Sequence, residues 1–578
     1  MEPTNALFLG ITLFLWCTVS TGKPFLPVVD LGYEVHQAIS YNESTGNYNF
    51  TNIRYAQAPV GDLRFRAPEP PVRRNPVVQI GDQGRICPQA MPEWTLISGQ
   101  FTQAFAAGNA SSFDFSAAEE KAQATMNKTG WPAPWANPNS HTTEDCLFLD
   151  VVVPKTIFDR ANNYSNSSFA STRRRKGAPV LVWIHGGAYV IGNKIYDNSA
   201  DPSGLIRASQ QNGEDGMIFI SINYRLGALG WLAGPSLQAS GGASNAGLLD
   251  QRLALDWIQE NIHMFGGDPD RVTVMGGSAG GGSIVHHITG YGGMRPPSFK
   301  GAITLSAGWV PISSQYQQES GAQAFLRHLN VTTIEEARSA DTKDVILANA
   351  LAIGSSIWTS FTYGPAVDGL LVPAQPGISL LKGEFDHNVS VMTGHTSNEG
   401  PYFSPPNVTT DEDLSSDLLA LYPGAQPPTI QYLLNDLYPT PGLNRTLELF
   451  ANLGFTCNTD YLRQAFDNRT YNYEFRVAPG THGTDFPYAF YSGPNPNETE
   501  DGIHVGSLGP VDVRLAQTLQ GYITNFVREG QPNGLGLPDF PVAGSNASML
   551  AFGLGGVSVY DGTATFDRCK WLQKYLYT

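Results

Sequence analysis

The stretch Val272-Thr273-Val274-Met275-Gly276-Gly277-Ser278-Ala279-Gly280-Gly281-Gly282 constrains this chain more than any other. A short apolar run enters a G-x-S-x-G turn and leaves it into a helical segment, so Ser278 must sit on a sharp strand-to-helix turn. Glycines on both sides remove the Cβ atoms that would block such a turn. The expected outcome is a serine hydroxyl displayed at a helix N-terminus, where a neighbouring base can activate it as a nucleophile. Two other glycine-rich readings fail on their residues. A phosphate loop needs Lys followed by Ser or Thr, and a dinucleotide fold needs G-x-G-x-x-G; neither follows the strand here.

A nucleophilic serine also needs donors for the oxyanion it creates. His185-Gly186-Gly187-Ala188 follows the buried-looking run Pro179 to Ile184, and its small residues let successive backbone N–H groups converge on one point. The surrounding chain alternates strands and helices. Pro179 to Ile184 and Met217 to Asn223 are near-continuous apolar runs of the kind covered on both faces in a parallel sheet. Ala246 to Ile262 has helical apolar spacing, and strands are expected at Leu147 to Val153, Gly301 to Leu305, Val389 to Thr393 and Tyr471 to Val477. The polar stretch Ser40 to Tyr55 suggests short antiparallel strands. This pattern predicts an α/β fold built on a large, mostly parallel sheet flanked by helices. With no internal repeat and no clean linker, 23–578 reads as one domain.

The base and acid are expected in the order Ser, then Asp or Glu, then His. Downstream of Ser278 stand His286, His287, His328, His387, His395, His482 and His504. His286 and His287 lie on the helix leaving the nucleophile, too close to return as its base. His482, in the glycine-flanked loop Pro479-Gly480-Thr481-His482-Gly483-Thr484-Asp485, directly follows the strand Tyr471 to Val477 and is positioned to reach back over the sheet. Asp368 and Glu399, each beside a glycine, are the two candidate acids.

Charged residues make up 15% of the chain, against roughly 25% in an average globular protein, so little of it reads as disordered. The formal charge of −16 disfavours nucleic acid and anionic membrane as partners and favours neutral small molecules. The apolar stretch Ala6 to Trp16, followed by the small residues of 17–22, reads as an export signal over 1–22. It is shorter than a membrane span, so no stable membrane anchor is expected. Export leaves Cys87, Cys146, Cys457 and Cys569, for which we favour the pairs Cys87 with Cys146 and Cys457 with Cys569, each clipping a long segment otherwise tethered only at its ends. Thirteen N-x-Ser/Thr sequons, at Asn42, Asn49, Asn109, Asn127, Asn163, Asn166, Asn330, Asn388, Asn407, Asn444, Asn468, Asn497 and Asn546, point to N-linked glycans. The aromatic-rich segment 87–146 has little strand signal and is a candidate lid-side cap. The basic run Arg173-Arg174-Arg175-Lys176 reads as a solvated loop.

On these residues the chain resembles the type-B carboxylesterase/lipase family of α/β-hydrolases. The marks are Tyr55-Ala56 with Pro59, Glu144-Asp145-Cys146-Leu147, His185-Gly186-Gly187-Ala188, Asn223-Tyr224-Arg225, Phe265-Gly266-Gly267-Asp268-Pro269 and Gly276-Gly277-Ser278-Ala279-Gly280-Gly281. The resemblance covers nearly all of the mature chain. The resemblance implies Glu399 as the acid, supports His482 as the base, and places the oxyanion donors on the N–H groups of Gly187, Ala188 and Ala279. It also implies the same two disulfides, a small-molecule ester substrate and no cofactor or metal. Where the family often carries Glu before the nucleophile, this chain has Gly277, which removes an anion and argues against a cationic substrate.

Overall fold

A computed structural model describes residues 26–132, 135, 141–164, 176–194, 200–309, 312–408, 410–493 and 510–575. The export signal at 1–22, the arginines of the basic run, His504 and the sequons Asn166 and Asn497 lie outside the described residues.

Fourteen strands are described. In chain order they are β1 (Val28–Asp30), β2 (Glu34–Gln37), β3 (Ser40–Asn42), β4 (Asn47–Arg54), β5 (Asn75–Gln79), β6 (Phe148–Pro154) and β7 (Ala178–Ile184), then β8 (Ile218–Ile222), β9 (Gly267–Gly277), β10 (Gly301–Leu305), β11 (Ser390–Thr396), β12 (Tyr471–Phe475), β13 (Ser548–Gly553) and β14 (Gly556–Asp561). Eleven of them form one sheet in the order β14-β13-β12-β11-β10-β9-β7-β8-β6-β4-β3. From β8 to β13 the pairs are parallel, while β6, β4, β3 and β14 add antiparallel edges. The apolar runs explain the centre. Val180, Val182 and Ile184 of β7 enter one core with the helices Ala246–Asn261 and Ala279–Thr289, whereas Leu181 and Trp183 enter a second core with the helices Ser203–Ser209 and Val513–Glu529. A strand buried on both faces has no polar side to show, which is why its sequence does not alternate. This is the α/β-hydrolase fold.

Two regions differ from the sequence reading in detail. The segment 87–146, closed by the Cys87–Cys146 disulfide, carries the helices Thr95–Ala106 and Phe115–Thr129. The second is started by the Asp114 carboxylate, which accepts from the Ala117 N–H, and stopped by Gly130 in the left-handed conformation (φ 67°). Trp94 is buried against Trp358, Phe361 and Tyr402 of the body, and Phe101 is buried against Phe113 within the segment. The C-terminal hairpin of β13 and β14 and the small sheet β1-β2-β5 are too short to leave a clear alternation. The Cys457–Cys569 bond is formed as well. Among the described residues no helix is long and apolar enough to cross a membrane.

Several motif residues tie the loops at the C-terminal ends of the strands. Tyr55 donates its hydroxyl hydrogen to the Asn223 carbonyl at 2.7 Å, and the Asn223 amide donates to the Cys146 carbonyl at 3.0 Å. Arg225 grips Asp250 with two side-chain bonds of 2.8 and 2.7 Å, and Arg64 grips Glu144 at 2.7 and 2.6 Å. All four charged groups are buried, so losing one partner would strand the other without water, a cost of about 3–5 kcal/mol.

Candidate active site

Ser278 stands at the join of β9 and the helix Ala279–Thr289 with φ 55° and ψ −123°, a backbone that a non-glycine residue adopts only when its surroundings enforce it. The enforcement is visible. The Ser278 N–H donates to the Leu305 carbonyl at 2.8 Å, and its own carbonyl accepts from Gly282 at 2.9 Å and Gly308 at 3.1 Å. The helix also presses close to β7: a Cβ on Gly280 would lie 2.0 Å from the Ile184 carbonyl oxygen. At Gly277 the space is taken by Phe486, whose ring would stand 2.3 Å from an added Cβ. An aromatic ring thus occupies the side-chain space of the residue before the nucleophile, the position where this chain has Gly277 and the family often carries Glu.

The turn after β7 runs beside this one. Gly187, Ala188 and Tyr189 all have positive φ (105°, 53° and 65°), which turns their peptide groups away from the strand direction. Tyr224 supports the turn by stacking on His185 at 4.3 Å between ring centroids and donating to the His185 carbonyl at 2.8 Å. Burial holds the His185 imidazole down at about 4, so it is neutral at physiological pH. Ala188, Ser278 and Ala279 line one cavity together with Gly308, Trp309, Thr359, Phe361, Phe403, Tyr422, Phe450 and Phe455. No charged side chain lines it among the described residues.

Glu399 and His482 arrive on adjacent loops. A bridge between Asn398 and Thr481 joins the segment after β11 to the one after β12, and the Asn398 N–H donates to the Gly480 carbonyl at 2.7 Å. His482 Nδ1 lies 2.5 Å from Glu399 Oε2, and Glu399 Oε1 accepts from the Thr396 N–H at 2.7 Å. Burial acts to raise the Glu399 pKa, but the charge and hydrogen bond of His482, with the Thr396 N–H, outweigh it and hold the carboxyl below its ordinary value. With a carboxylate as partner Nδ1 is the donor, which leaves Nε2 with its lone pair. Nε2 is buried and has no partner among the described residues. Phe403 and Phe455, whose rings lie 5.0 and 4.3 Å from the imidazole, also line the cavity that Ser278 lines.

The other candidates lie elsewhere. Asp368 accepts from the N–H groups of Leu370 and Val372 and from the Asn245 amide, and so serves its own loop. His287 is bonded to Gln251 at 2.8 Å, and His286 packs edge-on against Trp309 at 5.8 Å. His387 meets the Gly383 carbonyl and His395 meets Thr459. Sequence reasoning missed the ring cradle of Phe403 and Phe455, since loop aromatics carry no local pattern. It also passed over Asp485, although that residue stands in the same short motif as His482.

The sequence is 39% identical over 577 residues to carboxylesterase patB of Penicillium expansum, with 98% of each chain covered. It is 39% identical over 579 residues to carboxylesterase patB of Aspergillus clavatus, covering 98% of this chain and 99% of that one. Among solved structures, Aspergillus niger EstA aligns with a TM-score of 0.74 at 24% identity, over 96% of this chain and 99% of that chain. Residues 36–563 match the carboxylesterase family, and the chain belongs to that family of esterase- and lipase-type hydrolases.

Proposed function

We propose that this chain is a secreted serine esterase that cleaves small or medium neutral carboxylic esters through an acyl-enzyme. Ser278 attacks the ester carbonyl while His482 Nε2 takes its proton, and Glu399 holds the imidazole tautomer and offsets the charge that forms. The N–H groups of Gly187, Ala188 and Ala279 receive the oxyanion, each donor contributing about 2.7–4 kcal/mol in comparable sites. The imidazolium returns the proton to the departing alcohol; water then repeats the cycle and releases the acid. The observation that carries this reading is the shared cavity: Ser278 opens into it beside Ala188 and Ala279, and two of its wall residues, Phe403 and Phe455, pack on the imidazole bonded to Glu399. A fluorophosphonate probe is expected to form one adduct, on Ser278, with loss of esterase activity in proportion. A folded protein that takes up no probe would make the fold a non-catalytic module instead.

Neutral substrates follow from the uncharged aromatic lining and the net charge of −16. Export is supported by the two disulfides and by sequons on exposed asparagines at 42, 109, 127, 330, 388, 407, 444 and 546. We read residues 23–578 as a single domain whose cap is the segment 87–146.

That cap also favours an esterase over an interfacial lipase. On the helix Phe115–Thr129 only Ala118 and Ala122 are buried, while Glu119, Glu120, Lys121, Lys128 and the sequon Asn127 are exposed. Its outer face is wet, and opening it would bring charges and a glycan toward an oil surface, where they would resist losing water. The initial rate on tributyrin is therefore expected to saturate below the solubility limit and not to rise at the emulsion. A several-fold jump on crossing that limit would establish lipase behaviour.

A further inference from the structure

The carboxyl of Asp485 is fully buried three residues after His482. Its Oδ2 accepts the Tyr473 hydroxyl at 2.8 Å, and its Oδ1 has no partner among the described residues. Tyr473 is fixed in turn: its ring lies against β11 at Gly394, where an added Cβ would meet it at 2.3 Å. A buried carboxyl held by one neutral donor is expensive to ionise, and such a group next to catalytic residues is a candidate for a role in their chemistry.

We propose that Asp485, held by Tyr473, is a positioning residue: a second buried carboxylate, on the same short loop as the imidazole, that assists its protonation during catalysis. This rests on the reading of His482 as the base. The groups acting on Asp485 are Tyr473 from β12, Glu399 from the loop after β11 and His482 from its own loop. Burial pushes its carboxyl up to about 6; the nearby Glu399 charge pushes the same way, against the Tyr473 hydroxyl and His482. His395, also on β11, feels Glu399 but is held below the ordinary imidazole range by burial, so it adds no charge near neutrality. Above pH 6 the charges of two carboxylates therefore act on the imidazole, and below it one. The imidazolium formed in the transition state gains from the second anion only when Asp485 is ionised. Asp485 does not line the cavity, so substrate binding should not depend on it.

Asp485→Asn keeps the shape and an acceptor for Tyr473 while removing the charge. The expected result is a fall of about tenfold in kcat at pH 8, the size of one pKa unit of interaction, with KM unchanged. The wild-type-to-variant ratio should then shrink toward one as pH falls through 6, where wild-type Asp485 takes up its proton. Tyr473→Phe removes the donor, raises the Asp485 pKa, and should move the pH at which kcat begins to fall upward by about one unit. A ratio that is flat with pH, at one or at any larger value, overturns the proposal. If Asp485→Asn does not fold, the Tyr473→Phe profile decides it: an unshifted profile overturns it. Ser278→Ala, assayed alongside, reports separately on the serine-hydrolase reading, because its activity does not depend on the charge of Asp485.

Discussion

Ser278→Ala is expected to lower kcat/KM for a soluble aryl ester by at least about 10⁴-fold while leaving the protein folded. The fold should survive because nothing that shapes the turn is a side-chain bond of Ser278. Its N–H and carbonyl make the contacts to Leu305, Gly282 and Gly308, and alanine keeps both. Activity is lost because the alternative, attack by water held against the same N–H groups, lacks a bonded nucleophile and forms no acyl-enzyme. A second variant separates strain from chemistry. Ser278→Gly removes the Cβ from a residue at φ 55° and should be equally inactive, yet more stable to heat than Ser278→Ala, the strain of such a residue being on the order of 1 kcal/mol. Stopped assays with thermal melts of the three proteins check both statements. Turnover by Ser278→Ala within tenfold of wild type would end the assignment.

The parts of this protein that were legible in its sequence are those whose cause is local. The β9 run into Gly276-Gly277-Ser278 fixes a strand, a turn and a helix within a dozen residues, because the turn tolerates so few side chains. The central strands were visible because burial on both faces leaves a near-continuous apolar run, as in Ile218 to Ile222, where only Ser221 interrupts it. His482 was reachable by position alone, since its loop follows a recognisable strand. The choice between Asp368 and Glu399 was not local. Both are acids beside glycine, and only the pairing of the loops after β11 and β12 brings one of them to the imidazole. The cavity wall was still less legible. Trp309, Phe361 and Phe403 come from separate loops and Phe450 and Phe455 from one helical stretch, and their convergence is a property of the assembled fold rather than of any single stretch of chain. The second cap helix escaped for a different reason: its buried residues are small, Ala118 and Ala122, and alanine leaves no strong periodic signal.

Glu399→Gln is expected to lower kcat by about 10³–10⁴-fold with little change in KM, whereas Asp368→Asn should stay within about threefold of wild type. The two acids differ in what their charge does. Glu399 takes the Nδ1–H of His482 on Oε2 at 2.5 Å and the Thr396 N–H on Oε1 at 2.7 Å, and these donors hold it ionised despite complete burial. Glutamine can keep only one acceptor oxygen. If that oxygen faces Thr396, an NH₂ group faces Nδ1 and forces the proton onto Nε2, the tautomer that cannot accept from Ser278. If it faces His482 instead, the NH₂ opposes the Thr396 N–H and the imidazolium still loses its counter-charge. Either arrangement removes the base at the moment it is needed. Asp368 carries its load differently: Oδ1 accepts two backbone N–H groups and Oδ2 accepts the Asn245 amide, so Asp368→Asn keeps the first pair and loses about 1 kcal/mol of stability at the second. The comparison is read as kcat for both variants at equal folded fraction, established by thermal melts. Equal losses in the two well-folded proteins would remove the support for Glu399 as the orienting acid, since the bond to His482 would then be shown to carry no more than a loop contact does.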